Sequence, residues 1–404
     1  MSSAFSVPAF RRLWAAGLVS DAGDWLLFIA LPLVVYRLTG SALGTSLAFL
    51  LELIPAIVLA PVAARLVNRL DRRWLMVVVN AVQAVALLPL LFVHTAADLP
   101  LVYVVICAQA ALGAAFEPAK NALLPNLVGP KQLVSANALV GLNQNLGRLI
   151  GGPLGGVLLA IGDLGLVVAV DAASYALSAI LIAAVRPPAV RSTNGGDADE
   201  PVATGLVAVF KRQRMRGPLV VVFVAGIAQG MFVVLFVLFV VDQLNGSDAD
   251  VGLLRGVQAI GAIAVGLALG FIRQRFTARF LTATSTLVFG VISLITWNLP
   301  LITVNIVPYI VLFILVGAPG VVMITGIVTS LQRDSRDAER GSVFTLLGLL
   351  SALGQAIGML AAGTLDTTLG TIALLEIQGC IYLAAGALAM WLMPRVVPQP
   401  VSVA

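Results

Sequence analysis

Three carboxylates stand in places that are normally apolar. Asp21 and Asp24 lie three residues apart in the first long hydrophobic run, and Glu52 lies in the second. An ionised Asp at the centre of a bilayer costs about 2.5–3.5 kcal/mol on insertion scales, so an acid kept there faces water, pairs with a cation or carries protons. Residues three apart on a helix share a face, and Phe28 continues that of Asp21 and Asp24. The chemistry on offer is proton exchange, with Asp24 and Glu52 as lead carriers. Arg148, in the middle of the fifth run, is the basic group that competes with a proton for one of the acids. The plainer reading makes Asp24 or Asp21 a fixed counter-ion to Arg148.

That argument requires the runs to be membrane spans. The 404 residues are 60% hydrophobic and 11% charged, with a mean hydropathy of +1.04. Apolar stretches of about 20 residues recur along the whole chain, which marks a polytopic helical membrane protein. No cleavable leader pattern precedes the first run. The runs predict twelve helices near 13–36, 42–64, 74–94, 99–117, 135–161, 164–185, 217–241, 250–272, 280–297, 300–328, 341–364 and 370–393.

Loops on the side of the N-terminus carry 21 of the 24 Lys and Arg. The opposite side has only Arg37, and Arg148 and Arg255 fall inside spans. The positive-inside rule therefore places both termini in the cytoplasm, as an even number of spans requires. A multi-pass protein of the cell membrane follows. The net charge of +5 is accounted for by loops facing anionic lipid, which leaves no case for nucleic-acid binding. Cys107 and Cys380 fall within predicted helices, so a disulfide framework is excluded. A single His and the lack of a nucleophile or metal motif argue against an enzyme.

The longest polar interruption, 187–216, reads as a cytoplasmic linker between a bundle at 1–186 and another at 217–404. Its basic end, with Lys211, Arg212, Arg214 and Arg216, reads as an amphipathic helix on the inner leaflet. The halves overlay at a constant offset of 206 residues. Leu38-Thr39-Gly40-Ser41 falls on Leu244-Asn245-Gly246-Ser247, Arg69 on Arg275, Gly152 on Gly358 and Glu52 on Gln258. One register across five helices predicts a duplicated six-helix unit, hence an all-α protein of two pseudo-symmetric bundles with a cavity between them.

The segment from Ala64 to Arg73 resembles the loop signature between helices 2 and 3 of major facilitator superfamily transporters. Ala64 stands where that signature has Gly, and Asn68 where it has Asp. The stretches Leu33 to Ser41, Phe116 to Val128 and Ser135 to Leu139 resemble the macrolide-efflux-type branch of its drug:proton antiporters. The glycine run Gly147 to Gly156, with Pro153, is similar to the antiporter motif of helix 5. The resemblance implies alternating access, no cofactor, a proton gradient as driving force and a monomer in lipid. It implies an inner gate at Asn68, Arg69, Asp71, Arg72 and Arg73, in which Asp71 compensates for the charge absent from Asn68.

The resemblance also implies that the first, second, fourth and fifth helices of each half line the cavity. Candidate ligand contacts there are Trp25, Phe28, Phe116, Asn143, Gln229, Phe232, Phe236, Gln258, Met323 and Gln355. Rings, Met and amides without charge suit an amphiphilic small molecule. Asp242 and Arg255 are a candidate outer gate. Asp171 and Glu376 read as snorkelling near the outer surface, and His94 as an incidental interfacial residue. The expected function is proton-coupled efflux of amphiphiles. A lipid, lysophospholipid or siderophore transporter of the same fold, or a membrane sensor that binds without transport, are the alternatives.

Overall fold

A computed structural model describes residues 4–129, 132–186, 212–271, 276–335 and 339–394. They form twelve long helices. Six lie before the linker: α1 Pro8–Thr39, α2 Ala42–Arg69, α3 Arg72–Ala86, α4 Leu99–Val128, α5 Leu133–Ile161 and α6 Leu164–Ala183. Six follow it: α7 Gln213–Leu238, α8 Asp248–Phe271, α9 Ala278–Asn298, α10 Ile306–Asp334, α11 Arg340–Leu369 and α12 Thr371–Leu392. Adding 206 to the first residue of each of α1–α6 gives the first residue of α7–α12 to within one position. The register of the repeat is therefore carried by every helix start.

Local signals explain those starts. Gly40, at φ 59°, closes α1 by donating its N–H to the Tyr36 carbonyl, and the Ser41 side chain then caps α2 by accepting from the Gly44 N–H. Only glycine takes that left-handed position without strain. Asp71, Asp163, Thr277 and Asn305 cap α3, α6, α9 and α10 in the same way.

Eleven of the twelve helices are long and apolar enough to cross a membrane. The exception is α5, whose 29 residues include six glycines and a polar stretch running from Asn143 to Arg148. Several boundaries differ from the sequence reading, and three are described here. Helix α4 continues eleven residues past 117 to Val128, which carries Glu117 and Lys120 inside it. Helix α10 starts at Ile306 and not 300, because Leu299–Leu301 forms a short 3-10 turn and Asn305 supplies the cap. Helix α7 starts at Gln213, so Arg214 and Arg216 are helical; Lys211 and the expected surface helix of the linker lie outside the described residues.

The chain divides into two compact units. The first is Met1–Gly195 with Asn245–Ala259, and the second is Gly196–Leu244 with Ile260–Ala404. The first unit thus takes the opening turns of α8 that a cut in the linker would leave in the second half. The cause is the glycines of α5. A Cβ on Gly152 would meet the Gly252 carbonyl at 3.2 Å, and one on Gly256 would meet Pro153. Bare backbones let these helices touch.

In the first unit, Phe10, Leu13, Met76, Leu124 and Ile182 belong to one apolar cluster where α1, α3, α4 and α6 meet. In the second, Leu219, Ile327, Leu331 and Val343 form the matching cluster. Val58, Val78 and Val85 are among the exposed apolar residues of the first unit, as lipid-facing positions require.

Candidate functional site

Helix α1 is held from two sides. On α5, a Cβ at Gly147 would meet the Cβ of Asp21 at 2.7 Å, and one at Gly155 would meet the Leu26 carbonyl at 2.6 Å. On α6, Ser178 donates to the Ala16 carbonyl (3.1 Å) and itself receives a bond from Asn80 of α3 (2.7 Å). These contacts fix the rotation of α1. Its free face, with Ser20, Asp24, Leu27 and Phe28, looks into a cavity of about 500 Å³ inside the first unit.

Asp24 and Glu52 line that one cavity, from α1 and α2. Gln83, Gln109, Phe116, Glu117 and Tyr175 complete its polar and aromatic lining. Tyr175 donates to Asp24 Oδ1 at 2.5 Å, a charge-assisted bond between α6 and α1. Gln83 Nε2 reaches the Tyr175 hydroxyl at 3.4 Å, and Gln109 Nε2 donates to the Gln83 carbonyl at 2.9 Å. A chain of donors therefore ends on Asp24. Glu52 has no such partner and is half-buried against the cavity. Lys120 is buried, pairs with Glu117 on the next helical turn, and lies 5.7 Å from the Phe116 ring.

Sequence reasoning passed over five of these groups. Lys120 and Glu117 escaped because α4 was expected to end at 117. Tyr175, Gln83 and Gln109 are neutral, and nothing local distinguishes them. The signal in reach was Asp171 and Tyr175, four apart on one face of α6. Asp171 is not a snorkelling residue. It is fully buried, accepts from Ser174 at 3.0 Å and faces Gly23 of α1.

The counter-ion role of Arg148 is not met. Its Nε donates to the Arg255 carbonyl at 3.1 Å and its guanidinium lies 5.1 Å from the Trp25 ring centroid. Among the described residues it forms no ion pair with Asp21 or Asp24. Asp21 is buried beside Gly147, with Oδ2 lacking a hydrogen-bond partner. Trp25 and Gln258 sit with Arg148 and Arg255, not on the cavity.

Other expected contacts have these neighbours within their own units. Asn143 is buried and donates to the Trp14 carbonyl at 2.8 Å. Gln229 accepts from Tyr382 at 3.1 Å, and Gln355 donates to Ser351 Oγ at 3.2 Å on its own helix. Phe232 is buried with Trp297 and Phe313 around a void of about 10 Å³, Phe236 is buried against Phe313, and Met323 packs beside the apolar clusters of the second unit. Of the ten candidates, Phe28 and Phe116 face the cavity.

The inner gate also differs from expectation. Asp71 forms no ion pair with Arg69, Arg72 or Arg73; its carboxylate accepts from the Trp74 N–H at 2.9 Å and caps α3. Arg72 donates to the Ala122 carbonyl at 2.8 Å, and Arg73 to the carbonyls of Ile182 and Ala183 at the end of α6. At the end of α6 the Arg73 guanidinium satisfies carbonyls that the helix itself leaves open. Asn68 and Arg69 are exposed. Of the residues expected at the outer gate, Arg255 is buried and Asp242 lies in a π-helical turn, Phe239–Gln243. The ion pair found where α1 ends and α8 begins is Arg37 with Asp248, at 2.6 Å.

This arrangement of twelve helices with an acid-lined cavity in one unit can be set beside known proteins. Residues 2–399 match the model of the transmembrane secretion effector family, a major facilitator group. The chain belongs to that family. It is a multi-pass membrane protein with a transporter fold. The chain is 24% identical to macrolide efflux protein A of Streptococcus pyogenes, over 89% of this chain and 90% of the relative. It is 26% identical to the multidrug efflux pump Tap of Mycolicibacterium fortuitum, over 96% of each. Among solved structures, the nucleoside transporter NupG superposes with a TM-score of 0.79 at 12% identity, covering 96% of this chain and all of the other. At that identity the likeness concerns the fold alone.

Proposed function

We propose that the protein exports amphiphilic small molecules in exchange for protons, as a monomer in the cell membrane with both termini cytoplasmic, by alternating access of its two halves. The observation that carries this reading is that Asp24 and Glu52, from different helices, line one cavity of about 500 Å³. Two carboxylates on one aqueous chamber give a cargo and a proton a place to compete. The apolar wall of Leu27, Phe28, Leu31, Ile106 and Phe116 suits a cargo with a hydrophobic body. Tyr175 and Gln83 would orient Asp24 and keep its carboxylate in reach of cavity water. The names of the efflux relatives support export over uptake. No cofactor enters the cycle, since a proton gradient supplies the driving force.

The test is efflux from vesicles with an imposed pH gradient, comparing wild type with Asp24→Asn and Glu52→Gln. Both variants should lose gradient-driven accumulation while still equilibrating substrate. If both concentrate substrate as wild type does, the carrier assignment is wrong.

A further inference from the structure

One acid of the first unit stands behind the cavity and not on it. Asp171 of α6 is fully buried, and among the described residues it forms no ion pair. Ser174 donates to its Oδ1 at 3.0 Å, while its Oδ2 meets no donor. A buried carboxylate oxygen without a donor is costly in an apolar bundle, and a proton placed on it removes that cost by making the oxygen a donor itself.

Packing does not account for an acid here. A Cβ on Gly23 would overlap both Asp171 Oδ1 and Ser174 Oγ, so the carboxyl is seated against bare α1 backbone, one residue before Asp24. The matching positions of α12 hold Ile377 and Ile381. The repeated bundle therefore closes without a carboxyl or a hydroxyl at these places. Tyr175 follows Asp171 by four residues, and helical side chains lean towards the N-terminus, which brings its ring back over the turn of Asp171. Its hydroxyl donates to Asp24 Oδ1 at 2.5 Å and is within electrostatic reach of Asp171 and Glu52. One hydroxyl thus stands among three acids. Asp24 and Tyr175 are the titratable groups that face Asp171; α3, α5 and the turn Leu88–Phe92, which also pack on α6, present it with no charged side chain among the described residues.

We propose that Asp171 is a third proton-binding residue, which exchanges a proton with Asp24 by way of the Tyr175 hydroxyl. In the transfer the Oδ2–H bond of Asp171 breaks as its proton passes to the Tyr175 oxygen, and the Tyr175 O–H proton passes to the Asp24 carboxylate. Tyr175 is neutral before and after. One negative charge has moved from Asp24 to Asp171. Asp171 stands about 10 Å along α6 from Leu164, at 1.5 Å per residue, and the proposed orientation places that end outside. The inference deepens the efflux reading and rests on it: Asp171 is the outer stage of the proton's route and loads Asp24 from behind the cavity.

The test counts the protons that purified full-length protein takes up in unbuffered detergent solution, read with a pH-indicator dye on a step from alkaline to mildly acid medium. Asp171→Asn, which keeps the shape, and Asp171→Leu, which copies the apolar character of the second half, should each take up one proton fewer than wild type. In vesicles, Asp171→Asn should slow gradient-driven efflux about tenfold while still equilibrating substrate downhill, which reports an intact fold. Tyr175→Phe should slow efflux as well, and the double variant should be no slower than the slower single one, because residues on one path are not additive. Wild-type proton uptake in Asp171→Asn, or losses that multiply in the double variant, overturns the proposal. The count needs neither cargo nor gradient. Absence of transport by wild type would sink the efflux reading and leave the count standing, whereas uncoupling in Asp24→Asn beside a wild-type Asp171→Asn would sink this inference alone.

Discussion

In the first half of the chain the helices converge on charge, and at the matching positions of the second half they converge on small and apolar residues. Moving by the 206-residue offset takes Asp21 to Ile227, Asp24 to Gly230, Glu117 to Met323, Lys120 to Gly326, Arg148 to Gly354, Asp171 to Ile377 and Tyr175 to Ile381. The glycines among these mates make close contacts: Gly230 meets the Gln355 backbone, Gly354 meets α7 at Ile227, and Gly326 meets α9 at Thr282. The acidic cavity of the first unit measures about 500 Å³, and the void among the rings of the second about 10 Å³. A duplicated bundle has kept its backbone register and divided its labour. Asp24 and Glu117 line the cavity of the first unit, whereas glycine at the mate of Asp24 lets α7 and α11 touch.

The largest effect expected from this contrast is on coupling. Asp24→Asn and Glu52→Gln should each reduce pH-gradient-driven accumulation by tenfold or more, while Gln229→Leu and Met323→Leu should alter apparent substrate affinity by less than about threefold. Loss of gradient dependence in the latter pair would dissolve the division of labour. Next is packing, which ought to matter equally in both units. Gly151→Val against α1 and Gly230→Val against α11 should each destabilise by about 1–3 kcal/mol or more from overpacking, read as a lowered midpoint of thermal unfolding in detergent. Tolerance at Gly230 alone would mean that the second unit is the looser one.

A finer comparison uses two side-chain hydrogen bonds between helices, one buried and one at the cavity wall. Trp297 Nε1 donates to Gln378 Oε1 at 3.0 Å in the second unit, as Tyr175 donates to Asp24 in the first. Trp297→Phe and Tyr175→Phe should each cost about 1–2 kcal/mol by leaving an acceptor unpaired, but only Tyr175→Phe should slow proton-driven efflux. Equal efflux in the two variants would remove Tyr175 from the coupling machinery. The smallest effect is at the surface. Arg212 makes a two-pronged ion pair with Glu339 at 2.6 and 2.7 Å, both partners part-exposed. Arg212→Ala should cost about 0–1 kcal/mol, and less as salt is raised.

Helices and repeat were legible in the sequence because both depend on patterns that repeat along the chain. Apolar length marks the spans, and caps such as Ser41, Asp71 and Asn305 mark their starts. The pairing of Asp24 with Glu52 was legible for a related reason, since counting rise along two spans puts both acids at mid-depth. What resisted reading depends on helix rotation and on partners far away in sequence. Tyr175 is 151 residues from Asp24, and only the packing of α6 on α1 brings the hydroxyl to the carboxylate. Arg148 is one position from Gly147, which touches Asp21, yet its own side chain turns towards Trp25 and α8. Asp71 and its neighbouring arginines looked like a charge network because their types invite one. The backbone groups around them offered better geometry.

That last substitution of roles bears on how the protein is made. Arg72 and Arg73 clasp Ala122, Ile182 and Ala183, which follow them by 50, 109 and 110 residues. The first bundle therefore closes through contacts 50 to 110 residues apart in the chain, and closing loops of that length costs more chain entropy than pairing neighbours.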